Sequence, residues 1–308
     1  MNESVIVSAL DLGTNSVKCL VAQVDSAGRL EVITELRRIT RLGENLGATG
    51  RLLPAAIART CDAVCEMVQS ARASGAEHIR IAATAAMRDA ENAHELIDCV
   101  QGAVGVTIDV ISGEEEARLS FLGVRSIPGF ECGPLCLVDI GGGSCEWAMG
   151  NDSEITFRRS LPLGAVRVTE ARLTGDPPCV ESIEQARNDI REMLMEIPDP
   201  AGRMAGVGGT FSTMAAVAQC RVGVPVRIEG FRLTADEADT QIALYAARTV
   251  SERREIAGLE PGRADIILAG ALIARLCMAR AGVDSLVVTG RGLRYGLALK
   301  IAREALRE

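Results

Sequence analysis

Two stretches of the chain carry one pattern. Residues 9–21 read ALDLGTNSVKCLV, and residues 137–150 read LVDIGGGSCEWAMG. With Asp11 set on Asp139, Gly13 falls on Gly141 and Ser16 on Ser144. Apolar, strand-forming residues flank both copies, so each reads as strand, glycine turn, strand. Glycines in the turn let backbone approach a ligand and aim several N–H groups at one point, as loops that hold phosphate oxygens do. Asp139 and Glu146 bracket the second turn with carboxylates, which suit Mg²⁺. Two such turns, one early and one mid-chain, predict a duplicated α/β domain with two phosphate loops facing across a cleft.

The totals fit two folded domains. The chain has 308 residues, 48% of them hydrophobic, with 24% charged, enough for real cores. The net charge of −8 argues against a general nucleic-acid surface, so a polyanionic ligand would need a local basic patch or metal ions. Only Lys18 and Lys300 are lysines. No apolar run is long enough to span a bilayer. The ten cysteines form no C-x-x-C pair, and with no signal peptide they read as reduced, mostly buried cytoplasmic thiols. His78 and His94 are the only histidines, which leaves little for a His-rich metal site. No Gly-Lys pair exists for a Walker-type loop, and no cysteine has an arginine six residues on.

Taken in order, residues 5–10, 17–24 and 30–38 predict a β-meander. A helix starts at Pro54 and stops at Gly75. Residues 78–83 form a strand whose end leads to Arg88, where loops of α/β sheets carry function. Residues 91–100 predict a helix and 106–111 a strand. Ser112 with Glu115 reads as a capping box opening the next helix. Gly133-Pro134 reads as a hinge into the second half. There a helix starts near Gly164, and a strand at 204–207 runs through Gly208-Gly209-Thr210 into another helix, a third candidate phosphate contact. Arg263 and Asp265 head a long apolar helix. Arg37, Arg38 and Arg41 read as a solvated basic edge, with contact to a distal part of an anionic substrate as the alternative.

The motifs together resemble the exopolyphosphatase / guanosine pentaphosphate phosphohydrolase family. They are DLGTNSVK from Asp11, TRLGENL from Thr40, ATAAMR from Ala83, ISGEEEARLSFLGV from Ile111, VDIGGGSCE from Val138, LPLGAVRVTE from Leu161, GVGGT from Gly206 and GRADIILAGALI from Gly262. The resemblance implies two actin-like domains of the sugar kinase / heat-shock chaperone ATPase superfamily flanking a cleft. The first would be residues 1–130, joined by a closing helix at about 297–308, and the second residues 131–296. It implies Glu116 as the catalytic base. Asp11, Gly13, Thr14, Asn15 and Ser16 would form the first phosphate loop, and Gly141, Gly142, Gly143 and Ser144 the second. Asp139 and Glu146, with Asp11, would hold Mg²⁺ or Mn²⁺. Arg88, Gly208, Gly209 and Thr210 would contact phosphate, and Lys18 and Arg263 more distant phosphates. Inorganic polyphosphate is the implied partner, guanosine penta- or tetraphosphate the alternative, and a homodimer the implied assembly. Longer members add a C-terminal helical domain that this sequence lacks, so shorter polyphosphate chains are expected to be favoured. Tyr295 stands where the family's closing Gly-Leu-Arg motif usually has glutamate.

Other classes fit less well. A kinase or ATPase of the wider fold would not need Glu116, which favours water as acceptor. A non-catalytic sensor would not need Glu116, Asp139 and Glu146 together. Asp11-Leu12-Gly13 lacks the second aspartate of a haloacid-type phosphatase.

Overall fold

The computed structural model describes residues 3–152 and 154–307. In chain order the elements are β1 (Ser4–Leu12), β2 (Ser16–Asp25), β3 (Leu30–Ile39), α1 (Leu46–Thr49), α2 (Pro54–Ala73), β4 (His78–Ala83), α3 (Ala85–Asp89), α4 (Ala93–Val104), β5 (Ile108–Val110) and α5 (Gly113–Arg125). There follow β6 (Pro134–Ile140), β7 (Cys145–Asn151), β8 (Glu154–Leu161), α6 (Ala165–Arg172), α7 (Val180–Leu194), β9 (Arg203–Val207), α8 (Gly209–Arg221) and β10 (Phe231–Thr234). The chain ends through α9 (Ala235–Ala246), α10 (Val250–Arg254), a 3₁₀ turn (Pro261–Arg263), α11 (Ile267–Arg280), β11 (Ser285–Val288) and α12 (Leu293–Ala305). It forms two compact units, one running to Pro128 and resuming at Arg291, the other Gly129–Gly290. No helix among the described residues is long and apolar enough to cross a membrane.

The two sheets share a plan. The first has the order β3-β2-β1-β4-β5, and the second β10-β11-β9-β6-β7-β8. Read from the other end, β8-β7-β6-β9-β11 repeats the first sheet strand for strand. In both, three strands form an antiparallel meander and the rest join in parallel. β10 is an added antiparallel edge.

β1 is buried on both faces, and its sequence SVIVSALDL is accordingly apolar almost throughout. Leu10 and Leu12, with Val17, Cys19 and Val21, pack against α2 and α4 through Ile57, Val64, Val68, Leu96 and Val100. Val5, Val7, Ala9, Leu20 and Ala22 on the other face meet Leu297, Ile301 and Ala302 of α12. A sheet with two apolar faces needs cover on both, and the final helix supplies the second cover. In the second unit Val138, Ile140, Trp147, Phe211, Leu268 and Leu272 share one core.

Several expectations need correction. α4 runs to Val104 rather than Val100, because Leu96, Val100 and Val104 continue one buried stripe through Gly102. β5 is only three residues long. The Ser112 hydroxyl does accept from the Glu115 N–H at 3.1 Å. The Glu115 carboxylate, however, does not turn back to close a capping box. It accepts from Arg118 Nε (2.6 Å) and Lys300 Nζ (3.0 Å). The unit boundary falls at Pro128/Gly129, ahead of Gly133-Pro134. The cysteines are not all thiols: Cys61 of α2 and Cys99 of α4 form a disulfide, their Cα atoms 6.5 Å apart. Their 38-residue separation hides this pairing from the sequence. It arises because α2 and α4 pack side by side on one sheet face.

Candidate active site

In the first unit the predicted residues gather past the C-terminal ends of the parallel strands β1, β4 and β5. This is where open α/β sheets place their ligands. β1 delivers Asp11, which faces Lys18 of β2 in register; Lys18 Nζ lies 3.3 Å from Asp11 Oδ2. β4 is followed by Thr84, whose N–H donates to the Leu12 carbonyl at 3.1 Å, and α3 then carries Arg88. β5 leads into α5, with Glu116 in its first turn. Arg88 Nη1 donates to Glu116 Oε2 at 2.8 Å and to the Ile111 carbonyl at 3.0 Å. Glu116 is 8% exposed. A buried carboxylate held by an arginine is an oriented acid–base group rather than a solvated surface charge.

The two glycine turns are built alike. Gly13 N–H donates to the Ser16 carbonyl at 3.1 Å, and Gly141 N–H to the Ser144 carbonyl at 3.0 Å. A Cβ at either glycine would stand 3.2 Å from that carbonyl oxygen. What aims the turns is a tether that the motifs alone do not reveal. In the first unit, Gly43 N–H donates to the Thr14 carbonyl (2.9 Å), and Thr40 and Arg41 N–H both donate to the Asn15 carbonyl (3.1 and 3.0 Å). In the second, Ala165 N–H donates to Gly141 (3.0 Å), while Val166 and Arg167 N–H donate to Gly142 (2.8 and 3.2 Å). Arg167 Nε adds a bond to the Gly143 carbonyl at 3.0 Å.

In a planar trans peptide the N–H points opposite its own C=O. Pinning the carbonyls of Thr14, Asn15, Gly141, Gly142 and Gly143 therefore turns the N–H groups of Asn15, Ser16, Gly142, Gly143 and Ser144 the other way. Those of Asn15, Gly142 and Gly143 donate no backbone hydrogen bond among the described residues. This is the arrangement of an anion-binding nest. Gly164 permits the second tether, since a Cβ there would fall inside the backbone of Gly142 and Gly143.

Asp139 and Glu146 face each other in register across the β6–β7 hairpin. Glu146 is 1% exposed and accepts from Ser160 Oγ at 2.7 Å. Burial above all, and then the Asp139 carboxylate, push its carboxyl up to about 8, against the pull of bonds from Ser144 and Ser160. Two carboxylates crowded in this way hold a proton at neutral pH unless a cation joins them. Mg²⁺ is commonly bound through one or two carboxylates, with waters and substrate phosphates completing its shell. The pair fits that donor set. No three His, Cys, Asp or Glu side chains among the described residues are placed to hold a metal.

The third loop joins the same end of the second sheet. β9 runs parallel beside β6, and at its end Gly208 has φ +101. A Cβ there would lie 2.5 Å from the Ile140 carbonyl oxygen and 2.9 Å from Asp139 Oδ1. Gly209 opens α8 directly beneath the Arg263 guanidinium, which a Cβ would strike. Arg263 is buried and pairs with Glu260 at 3.0 Å. A cation at a helix N-terminus is repelled by the helix dipole, whereas an anion satisfies both at once. Thr210 turns its side chain onto Gly270 of α11 and is 3% exposed, so it offers backbone only.

Two other sequence features find structural places. Tyr295 is 5% exposed on the buried face of α12, and its hydroxyl donates to Glu35 at 3.0 Å. It fixes α12 on β3. In the basic edge, Arg38 pairs with Glu66 of α2 at 2.5 Å.

Known proteins share this framework along the whole chain. Exopolyphosphatase 2 of Mycobacterium tuberculosis is 34% identical over 314 residues, covering 96% of this chain and 98% of that protein. Exopolyphosphatase 1 of Mycobacterium bovis is 30% identical, covering 96% and 87%. The crystal structure of the Aquifex aeolicus member of the Ppx/GppA family superposes with TM-score 0.82 at 31% identity, covering 99% of both chains. An exopolyphosphatase-like protein superposes with TM-score 0.92 at 33% identity. The Ppx/GppA phosphatase family matches residues 20–305, a span holding Glu116, both members of the Asp139/Glu146 pair and the second glycine turn, and the chain belongs to that family.

Proposed function

We propose that the protein is an exopolyphosphatase, removing the terminal phosphoryl group of inorganic polyphosphate as orthophosphate. The observation that carries this reading is Glu116, buried at the start of α5 and fixed at 2.8 Å by Arg88. It stands in the same unit as a turn whose N–H groups are aimed outward by the tether at residues 40–43.

Phosphoryl transfer needs little covalent help from protein. It needs positioning and charge stabilisation. The N–H groups of Asn15 and Ser16 bind the oxygens of the terminal phosphoryl. Glu116 accepts a proton from the attacking water as its oxygen bonds to phosphorus in line with the departing bridge oxygen. The P–O bond to that bridge breaks, the chain leaves one phosphate shorter, and Glu116 passes the proton to solvent or to the departing oxygen. Lys18 and Arg88 offset negative charge near the turn. In the second unit the N–H groups of Gly142, Gly143 and Ser144, with Arg263, are a second set of phosphate contacts. Asp139 and Glu146 would hold Mg²⁺ or Mn²⁺, which when bound offsets charge on phosphate oxygens.

Orthophosphate release with Mg²⁺ from polyphosphates of defined length, run beside guanosine pentaphosphate and ATP, tests the reading. Polyphosphate turned over in preference to both supports it. Turnover of guanosine pentaphosphate alone replaces it with the alarmone reading, and release from none of them removes it. A homodimer goes with the proposal and is read by sedimentation. So does a cytoplasmic location, against which the Cys61–Cys99 bond speaks; trapping thiols at lysis decides between them.

A further inference from the structure

The second unit holds one buried charge that the reading above does not use. Arg253, on the five-residue α10, is 2% exposed. Its Nε donates to the Tyr245 carbonyl at the end of α9 at 2.8 Å, and its Nη1 to the Ala264 carbonyl at 3.4 Å. Its Nη2 is buried without a hydrogen-bond partner among the described residues. Asp176 and Asp265 are its charged neighbours. The whole of α10 is rigidly set: Thr249 and Glu252 form a reciprocal capping box, and Asp176 accepts from the Val250 N–H at 2.7 Å.

Burying an arginine is unfavourable, and an apolar side chain of similar volume would pack as well or better. What only the guanidinium does is bridge two backbone carbonyls from different segments. One belongs to α9, which is anchored in the core through Tyr245 and through Gln241, whose Nε2 donates to the Met214 carbonyl of α8 at 2.8 Å. The other is Ala264, the residue after Arg263. The Arg263 guanidinium lies on Gly209 at the start of α8, so a small rotation of the 263–265 turn would carry it off that helix end.

We infer that Arg253 is a positioning residue for Arg263: it clamps the Ala264 carbonyl to the end of α9 and so sets where the Arg263 guanidinium meets the N-terminus of α8. This rests on the reading of Arg263 as a phosphate contact. A charge-assisted bond to phosphate is worth about 1.5–3 kcal/mol, or about 10- to 100-fold in affinity.

The test is a double-mutant cycle in the full chain, with polyphosphate of defined length and Mg²⁺. KM and kcat are measured for the native protein, Arg263→Ala, Arg253→Met and the double variant. Melting temperatures are recorded beside them. Arg263→Ala should raise KM about 10- to 100-fold with kcat nearly kept. Arg253→Met should raise KM in the same way, and adding it to Arg263→Ala should raise KM no further. Arg253→Lys, which keeps the charge and one donor, should fall between native and Met, and it completes the same cycle if the Met variant does not fold. A native KM in the folded Arg253 variants, or effects that multiply in the double variant, overturns the positioning role while leaving Arg263 as a contact. A native KM in Arg263→Ala instead overturns the phosphate reading itself.

Discussion

Gly164→Ala isolates the tether that aims the second glycine turn. The backbone of Gly164 is unstrained, with φ −126 and ψ 159, so the substitution acts through space alone. The new Cβ would sit 2.5 Å from the Gly143 carbonyl carbon and closer still to Gly142. Both are backbone, which cannot swing away as a side chain can. The start of α6 must retreat, and the N–H bonds of Ala165, Val166 and Arg167 onto Gly141 and Gly142, now 2.8–3.2 Å, lengthen together. At about 0.5–1.5 kcal/mol each, losing the three costs about 2–4 kcal/mol. For a unit of this size that is a melting-point drop of about 5–15 °C. The freed peptide planes no longer turn their N–H groups outward, and losing one charge-assisted bond to a phosphate costs about 10- to 100-fold in affinity, read as a higher KM. The assay is calorimetry beside the KM for phosphate release. Gly102→Ala is the control. It lies exposed in α4 with nothing within 4 Å of the added Cβ, so it should gain about 0.5–1 kcal/mol and keep the native KM. A folded Gly164→Ala protein with a native KM would refute the tether, even if its melting point fell.

Glu116→Gln should keep fold and substrate binding while turnover drops about 10²–10⁴-fold, the usual contribution of a general base; unchanged turnover removes the assignment. Mg²⁺ should raise the melting point, by an amount equivalent to about 2.7 kcal/mol at 100 times its Kd. Chelation should reverse this and Glu146→Gln should lose it, so a full Mg²⁺ response in that variant would place the ion elsewhere. Hydrogen bonds from Arg118 and then Lys300 hold the Glu115 carboxyl down at about 2, below its usual 4.5. A folded-state pKa below the unfolded one contributes stability above about 4.5 that fades as pH falls through about 2. Lys300→Ala should therefore show a smaller acid-induced fall in melting temperature than the native protein, and equal slopes would discount the link between α12 and α5.

Much of this fold is legible in residue order because short-range chemistry decides it. Pro54 starts α2 where its fixed φ and missing N–H cost nothing. Alternating and continuous apolar runs place β1, β2 and β4, and the repeated Asp-x-Gly-x-x-Ser spacing announces that one sheet plan occurs twice. Legibility fails where the partner is remote. The Glu115 carboxylate looked bound for its own helix cap and is drawn instead to Lys300, 185 residues on. Cys61 and Cys99 carry no spacing signal, because helix packing rather than sequence distance brings them together.

The same division runs through the candidate site. Which side chains carry acid–base and phosphate chemistry is written in local motifs, since a turn needs its glycines and a carboxylate is a carboxylate in any fold. Which way those groups face is a property of three dimensions. A peptide N–H points away from whatever holds its carbonyl, and the residues that hold the carbonyls of the two turns come from segments about 25 residues downstream that only the folded sheets bring alongside.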